Sequence, residues 1–332
     1  MKTQEKAVYI KTNSNIHINQ IIKYLDEEIA GVLLRSICKI CNPVEEIRMR
    51  AGRPLIVSDY TGDYIVGVDG SISRDAGFIV KPEHIATTIS MMSENSVYAY
   101  QDEIKNGYIT LKGGHRVGIC GRAVLEGRFV KNIKDISGLN IRICREIKGC
   151  SMKIMPYIFD NDKKVLNTLI VSPPSCGKTT FLRDIAKNIS NGLPDAGIRG
   201  MKVCIVDERS EIAACFKGVP QCDVGIRTDV LDACPKAIGM AMVLRSMSPQ
   251  VIITEEIGCT GDSEAVMKVI NAGVKIITSA HGYSVTELKS RMEVLNLLKQ
   301  DVFERVIVLD NTEGPGTIKE IIDGKEVRSI CF

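Results

Sequence analysis

The sequence predicts an α/β fold in two parts, a parallel sheet covered by helices on both faces and, ahead of it, a smaller mixed α/β domain. Three observations carry this. Leu169-Ile170-Val171, Val203-Cys204-Ile205-Val206, Val251-Ile252-Ile253 and Ile276-Ile277 sit in nearly continuous apolar runs, as strands buried on both faces do. Each run ends in polar or charged residues, and stretches with helical spacing lie between them. The first part instead shows short alternating runs punctuated by Gly113, Gly114, Gly118, Gly121 and Gly127. With 332 residues the chain is long enough for two cores, and the expected domains are 1–150 and 151–332.

Composition narrows the classes. Charged residues are 25% and hydrophobic ones 45%, which excludes a disordered chain. A net charge of +3, no Trp and 5% aromatics supply neither the field nor the stacking platforms of a nucleic-acid binder, so no direct nucleic-acid partner is expected. The 12 cysteines are dispersed, and the start Met-Lys-Thr-Gln-Glu-Lys develops no apolar leader; the expectation is a cytoplasmic chain with reduced thiols. Cys38 and Cys41 form a Cys-x-x-Cys pair without a second pair at zinc spacing, which reads as a buried helix face. No run reaches the roughly 20 apolar residues of a membrane span, so membrane association is expected to be peripheral.

In chain order, Ile18 to Leu34 predicts one or two helices interrupted near Gly31. Val44 to Arg50 alternates, placing Glu46, Arg48 and Arg50 on one face of a strand, and Ala51-Gly52-Arg53-Pro54 turns into Leu55-Ile56-Val57. Helices are expected next over Pro82–Met92 and Tyr98–Gly107. Strands are expected at 107–111, 115–123, 128–133 and 139–145, and a connection at 150–157.

The second part opens on a strand, loop and helix. The apolar run from Leu169 breaks into Ser172-Pro173-Pro174-Ser175-Cys176-Gly177-Lys178-Thr179-Thr180, and Phe181 to Ile189 resumes at helical spacing. Backbone N–H groups and a helix N-terminus converge in such a loop, which is the geometry that holds phosphate oxygens. Lys178 is placed to reach the outer phosphates and the Thr179 hydroxyl to meet Mg2+. Ser172 and Ser175 stand where such loops carry Gly, and a left-handed Ser175 would be strained by about 1–2 kcal/mol. Cys176, beside Lys178 and the helix start, reads as a small space-filling residue or a thiol of lowered pKa.

A second strand ends in Asp207-Glu208-Arg209-Ser210-Glu211, carboxylates on the edge where α/β proteins bind ligands, unless they cap and pair locally. Residues 213–228 read as irregular, with Arg227 a mobile charge. A helix from Pro235 precedes a third strand ending in Glu255 and Glu256. Glu255 is assigned to the magnesium ion through water and Glu256 to orienting the attacking water. The helix 262–272 leads to a fourth strand ending at His281, a candidate sensor of water or a terminal phosphate. Helix 284–298 and strands at 302–309, 317–322 and 326–330 complete the chain. No guanine-recognising Asn-Lys-x-Asp element is evident, and no acceptor pocket with a lid. The Glu pair and the strand-end His favour a RecA-like P-loop ATPase, with Glu256, Glu208, His281 and Arg227 as catalytic candidates.

The chain resembles the stage III sporulation protein AA family, related to the type II and type IV secretion ATPases. The stretches that carry this are Glu45 to Pro54, Tyr98-Ala99-Tyr100-Gln101, Gly107 to Gly118, the loop 172–180, Val206 to Ile212 and Gly225 to Val230. Departures fall at Ser172, Ser175 and Glu255, where these ATPases more often have Gly, Gly and Asp. The resemblance implies an ATP- and Mg2+-dependent ATPase on the mother-cell side of the membrane. It would form a homo-oligomer, a hexameric ring, working with membrane proteins of a secretion-like channel between mother cell and forespore. Arg116, Arg122, Arg209 and Arg227 are candidates for a charge completing the site in cis or in trans. The alternative is a nucleotide-responsive assembly scaffold with weak or no hydrolysis.

Overall fold

The structure, a computed structural model, describes residues 17–73, 77–94, 96, 100–174, 176–324 and 326. The chain divides into two compact units, residues 1–145 and 146–332, each with its own seven-stranded sheet. The expected strand 326–330 lies almost wholly outside the described residues, as do Tyr98, Ala99 and Ser175.

In the first unit every strand pairing is antiparallel, in the order β4-β3-β2-β1-β7-β6-β5. The strands are β1 (Glu46–Arg50), β2 (Ile56–Asp59), β3 (Gly62–Val66), β4 (Ile72–Ser73), β5 (Tyr108–Leu111), β6 (His115–Glu126) and β7 (Phe129–Arg142). Alternation decides which face is covered: Ile47 and Met49 of β1 are buried, and Glu46, Arg48 and Arg50 occupy its other face. Ile29 and Leu33 of the helix Glu27–Ile37 and Ile85, Ile89 and Met92 of the helix Pro82–Met92 complete that core.

Local expectations change here in four places. The helix Glu27–Ile37 runs through Gly31 and is set off from the helical residues 17–22 by Asp26, whose carboxylate caps the Glu28 N–H at 3.0 Å. The runs 128–133 and 139–145 are parts of one long strand, because β7 stays paired to β6 past Gly138. Strands β3 and β4 lack an apolar run that would announce them. Cys38 and Cys41 are exposed, beyond the helix, rather than a buried helix face. Among the described residues all cysteines are free, and no helix is long and apolar enough to cross a membrane.

The second unit has the strand order β12-β11-β13-β14-β8-β15-β16, from β8 (Thr168–Ser172), β11 (Val203–Asp207), β12 (Thr228–Asp232), β13 (Val251–Thr254), β14 (Lys275–His281), β15 (Arg305–Asp310) and β16 (Thr317–Asp323); β9 (Gly192–Leu193) and β10 (Ile198–Arg199) form a separate small hairpin. All pairings in the large sheet are parallel except β15 with β16. Successive residues of each buried strand feed opposite cores. Leu169, Val171, Cys204, Val206, Ile252 and Ile276 pack with the helices Lys236–Ser246, Asp262–Asn271 and Met292–Lys299. Ile170, Val203, Ile205, Ile253, Ile277 and Ile307 pack with the helix Lys178–Asn191. Both faces being dry, the runs are apolar throughout. Two expectations are corrected: Thr228–Asp232 is an edge strand whose mixed composition hides it, and 284–298 divides into a 3-10 turn Thr286–Ser290 and a helix Met292–Lys299.

Candidate functional site

β8 ends at buried Ser172, and the helix Lys178–Asn191 begins six residues later. Gly177 caps it at φ 83°, with only the Gly316 N at 3.9 Å from where a Cβ would lie, so backbone conformation rather than space demands glycine there. Ser172 is absent from the residues with positive φ and carries no such strain in place of glycine. Ser175, whose strain the sequence raised, lies outside the described residues. Cys176 is buried, its thiol directed at the Pro174 carbonyl at 3.5 Å.

Lys178 folds back onto its own loop. Its ammonium donates within reach of the Ser172 carbonyl at 3.0 Å, the Ser172 hydroxyl at 3.2 Å, the Pro173 carbonyl at 3.0 Å and His281 Nδ1 at 2.9 Å. Burial pushes its pKa below the ordinary lysine range; the Glu256 carboxylate opposes this, and the Arg291 guanidinium adds to it. An ammonium has no lone pair, so His281 Nδ1 is the acceptor and Nε2 carries the proton. That Nε2 lies 3.1 Å from Glu256 Oε2, which gives a continuous line Lys178–His281–Glu256. The juxtaposition comes from sheet register: His281 pairs with Ser172 across β14 and β8, and Gly282 N–H donates to the Ser172 carbonyl at 3.2 Å. Glu256 is further held by its own N–H to Ser279 Oγ at 3.1 Å, and Arg209 Nη1 stands 4.0 Å from its carboxylate.

Glu255 points elsewhere. It is 7% exposed and accepts the Arg209 N–H at 2.9 Å; burial, then the Asp207 and Glu211 charges, push its pKa up to about 7. Asp207 is fully buried and accepts from the N–H groups of Glu211 at 2.9 Å and Ala213 at 2.8 Å. Arg183, from the phosphate-loop helix, clamps the same segment through the carbonyls of Ile212 and, at 2.7 Å, Glu211. Within and beside this segment Ser210 and Ala214 take positive φ (54° and 51°), a conformation costly outside glycine and maintained here by these fastenings.

Magnesium can be tested against this donor set. It takes oxygen ligands and often only one or two carboxylates beside phosphates. Among the described residues no three His, Cys, Asp or Glu side chains are grouped to hold a metal by themselves. The Thr179 hydroxyl stands in the first helical turn, and the Glu255 carboxyl, pressed by neighbouring negative charge, faces the Arg209 N–H just past β13; each is an oxygen donor of the kind this ion takes.

Of the remaining candidates, Glu208 is engaged by buried Lys236; burial disfavours that ammonium, but Glu208 outweighs it and raises the lysine pKa. Arg227 lies at the far end of the phosphate-loop helix, donating to the Ser190 carbonyl at 3.0 Å. A 14-residue helix is about 20 Å long, so the structure does not bring Arg227 to Lys178 of the same chain. In the first unit Arg116 lies over the Tyr108 ring at 3.9 Å and Arg122 pairs with Asp135 at 3.0 Å. Sequence reasoning passed over Arg183 and Arg291. Arg183 interrupts a helical apolar pattern, which signals a buried cation, whereas nothing local marks Arg291.

Comparison with known proteins gives consistent results. The family model described as "Sporulation stage III, protein AA" matches residues 16–329. The stage III sporulation protein AA of Bacillus subtilis (strain 168) is 40% identical over 306 residues, 92% of this chain and 95% of that protein. An uncharacterized protein ycf45 of Cyanidium caldarium is 30% identical over 167 residues, 49% of this chain and 46% of its own. Among solved structures, the Legionella pneumophila ATPase DotB superposes with TM-score 0.55 at 15% identity, covering 86% of this chain and 79% of its own. The pilus retraction motor PilT with bound ADP gives TM-score 0.55 at 14% identity, covering 91% and 85%. The fold is thus that of P-loop secretion and pilus ATPases.

Proposed function

We propose, from the premise that this chain belongs to the sporulation stage III protein AA family, that it binds ATP at the loop 172–180 and hydrolyses it to power or assemble a secretion-like channel. The observation that carries this reading is the line Lys178–His281–Glu256 at the end of β8. ATP phosphates would occupy the loop that Pro173 and Pro174 shape and that runs through Ser175, Cys176, Gly177 and Thr180, facing the N–H groups of its non-proline residues and the positive end of the helix. Lys178 exchanges its loop carbonyls and His281 for phosphate oxygens. Glu256 takes a proton from water as the water oxygen attacks the γ-phosphorus, and the bond to the bridging oxygen breaks with its electron pair leaving on ADP. His281, donating from Nε2, orients Glu256. Thr179 and Glu255 would hold magnesium, which when bound would neutralise charge on the phosphates.

Glu208 acts in this reading by fixing Lys236 at the ligand edge. Arg227 reaches a site only on a neighbouring subunit of a homo-oligomer, which we take as a hexameric ring; Arg209 is the candidate beside Glu256 within the chain, and Arg116 and Arg122 remain candidates in cis or in trans. The place of action is the cytoplasmic, mother-cell side of the membrane, with membrane proteins of the channel as partners. Domains 1–150 and 151–332 divide the work, the second binding nucleotide. The scaffold reading draws support from Glu255, whose raised pKa leaves part of its population neutral near pH 7 and weakens it as a metal ligand.

Purified protein is expected to hydrolyse ATP, and Lys178→Ala or Glu256→Gln to reduce turnover by about 100-fold or more. Turnover at the parent rate in Glu256→Gln would sink the site assignment. ATP binding without measurable turnover in the parent selects the scaffold. Light scattering with and without ATP tests the ring, which a strictly monomeric active enzyme excludes.

A further inference from the structure

The hairpin β6–β7 leaves its sheet. β5 pairs with β6 no further than Gly118, and β1 pairs with β7 from Gly138 on, with one more bond from the Ala51 N–H to the Ser137 carbonyl at 2.9 Å; Ile133 and Ile136 pack on the core, and the rungs beyond them have no third strand. None of the residues from Cys120 to Ser137 is buried. A two-stranded ribbon of this kind is at best marginally stable alone in water. Its far end is nevertheless apolar: Leu125 is 64% exposed, Phe129 80% and Val130 40%. Leu125 and Val130 face each other on one rung, and Phe129 meets Glu126 on the next.

The charge around this end has one sign to spare. Residues 121–136 contain Arg122, Arg128, Lys131 and Lys134 against Glu126 and Asp135. Both acids are paired, Glu126 with Lys131 at 3.1 Å and Asp135 with Arg122 at 3.0 Å. Among the described residues Arg128 and Lys134 have no such partner. Arg122 and Lys134 share a rung four steps behind Phe129, about 13 Å along the ribbon at roughly 3.3 Å per step. Interfacial elements enter by about 5–10 Å, so an apolar end that enters this far leaves a collar about 13 Å behind it outside the acyl region, where its charge can stay hydrated.

We propose that the β6–β7 ribbon docks on an anionic lipid bilayer, with Leu125, Phe129 and Val130 at the headgroup–acyl boundary and Arg128 and Lys134 against lipid phosphates. Two strands wide, the ribbon suits a deformable planar surface. Its apolar side chains fit acyl chains, whereas single-stranded nucleic acid asks for several stacked rings and residues 121–136 supply Phe129 alone. The inference does not depend on the nucleotide reading.

The test uses the full chain with vesicles of phosphatidylcholine, alone or mixed with phosphatidylglycerol. Sedimentation with the anionic vesicles is expected, weakening as salt rises. The chain has no Trp, so Phe129→Trp gives a single reporter whose emission shifts to the blue as the ribbon enters the bilayer. Leu125→Ser combined with Phe129→Ser is expected to weaken partition at least about tenfold. Arg128→Ala with Lys134→Ala is expected to weaken it about tenfold at low salt. Three outcomes overturn the proposal: no sedimentation with anionic vesicles; an indole emission unmoved when the Phe129→Trp protein is bound to vesicles; or parent-like binding by the double Ser variant. A loss of oligomer mass in that variant, with vesicle binding intact, assigns the ribbon to a second copy of the chain instead.

Discussion

The two sheets of this chain have the same number of strands and opposite relations to water. In the first, alternation leaves one set of side chains outside the core, as Glu46, Arg48 and Arg50 show on β1. In the second, β8, β11 and β13 are buried along their whole length, and polar chemistry is confined to the strand ends and the turns beyond them, at Lys178, Arg209, Glu255, Glu256 and His281. A sheet with one wet side can place charge anywhere along a strand. A sheet dry on both sides can place it only at the ends, which gathers ionisable groups from distant parts of the sequence along one edge.

Core substitutions should separate the two regimes most strongly. Ile170→Ala, fully buried in β8, is expected to cost about 2–5 kcal/mol in denaturant unfolding, while Val130→Ala on the free ribbon stays within about 0.5 kcal/mol. Comparable losses at both positions would mean that the ribbon is packed in solution.

The two units should also answer pH with opposite signs. His115, fully buried in the first unit, accepts the Cys144 N–H at 3.1 Å and meets Gln20 at 2.9 Å; burial, then His17 and Lys23, push its pKa down to about 4. Folding therefore favours the neutral ring, and stability is lost as pH falls from about 6.5 through about 4. Glu255 binds its proton more tightly folded than unfolded. Its contribution is full below about 4.5 and is lost as pH rises through about 7. In pH-dependent melts, His115→Gln should flatten the acid limb and Glu255→Gln the limb toward neutrality. A profile unchanged by both substitutions breaks the contrast.

The smallest effect concerns Ser172. Glycine there removes one of the acceptors facing Lys178 without relieving backbone strain, so Ser172→Gly should change nucleotide affinity only a few-fold, measured by calorimetric titration. A large gain would mean that the serine blocks the loop.

The buried sheet was legible because continuous apolar runs admit few other readings, and the loop because Gly177-Lys178-Thr179 sits between two strong periodic signals. That the strand ends share one ligand edge could be read; which of them lie side by side could not. His281 is 103 residues from Lys178, and only the pairing of β14 with β8 makes them neighbours. Local propensity likewise hid β12, whose Thr228-Asp229-Val230-Leu231-Asp232 needs the edge of β11 to become a strand. The ribbon was half visible: its glycines and alternation announced short strands at 115–123 and 128–133, but sequence carries no sign of where a third strand stops.

The resting position of Lys178 bears on turnover in a way separate from chemistry. Its ammonium is already solvated by protein oxygens and an imidazole, so a phosphate displaces existing partners rather than filling an unmet need. The same partners are waiting when the γ-phosphate is gone. On the proposed reading, the loop competes with ADP for its own lysine, which lowers product affinity and speeds the emptying of the site between cycles.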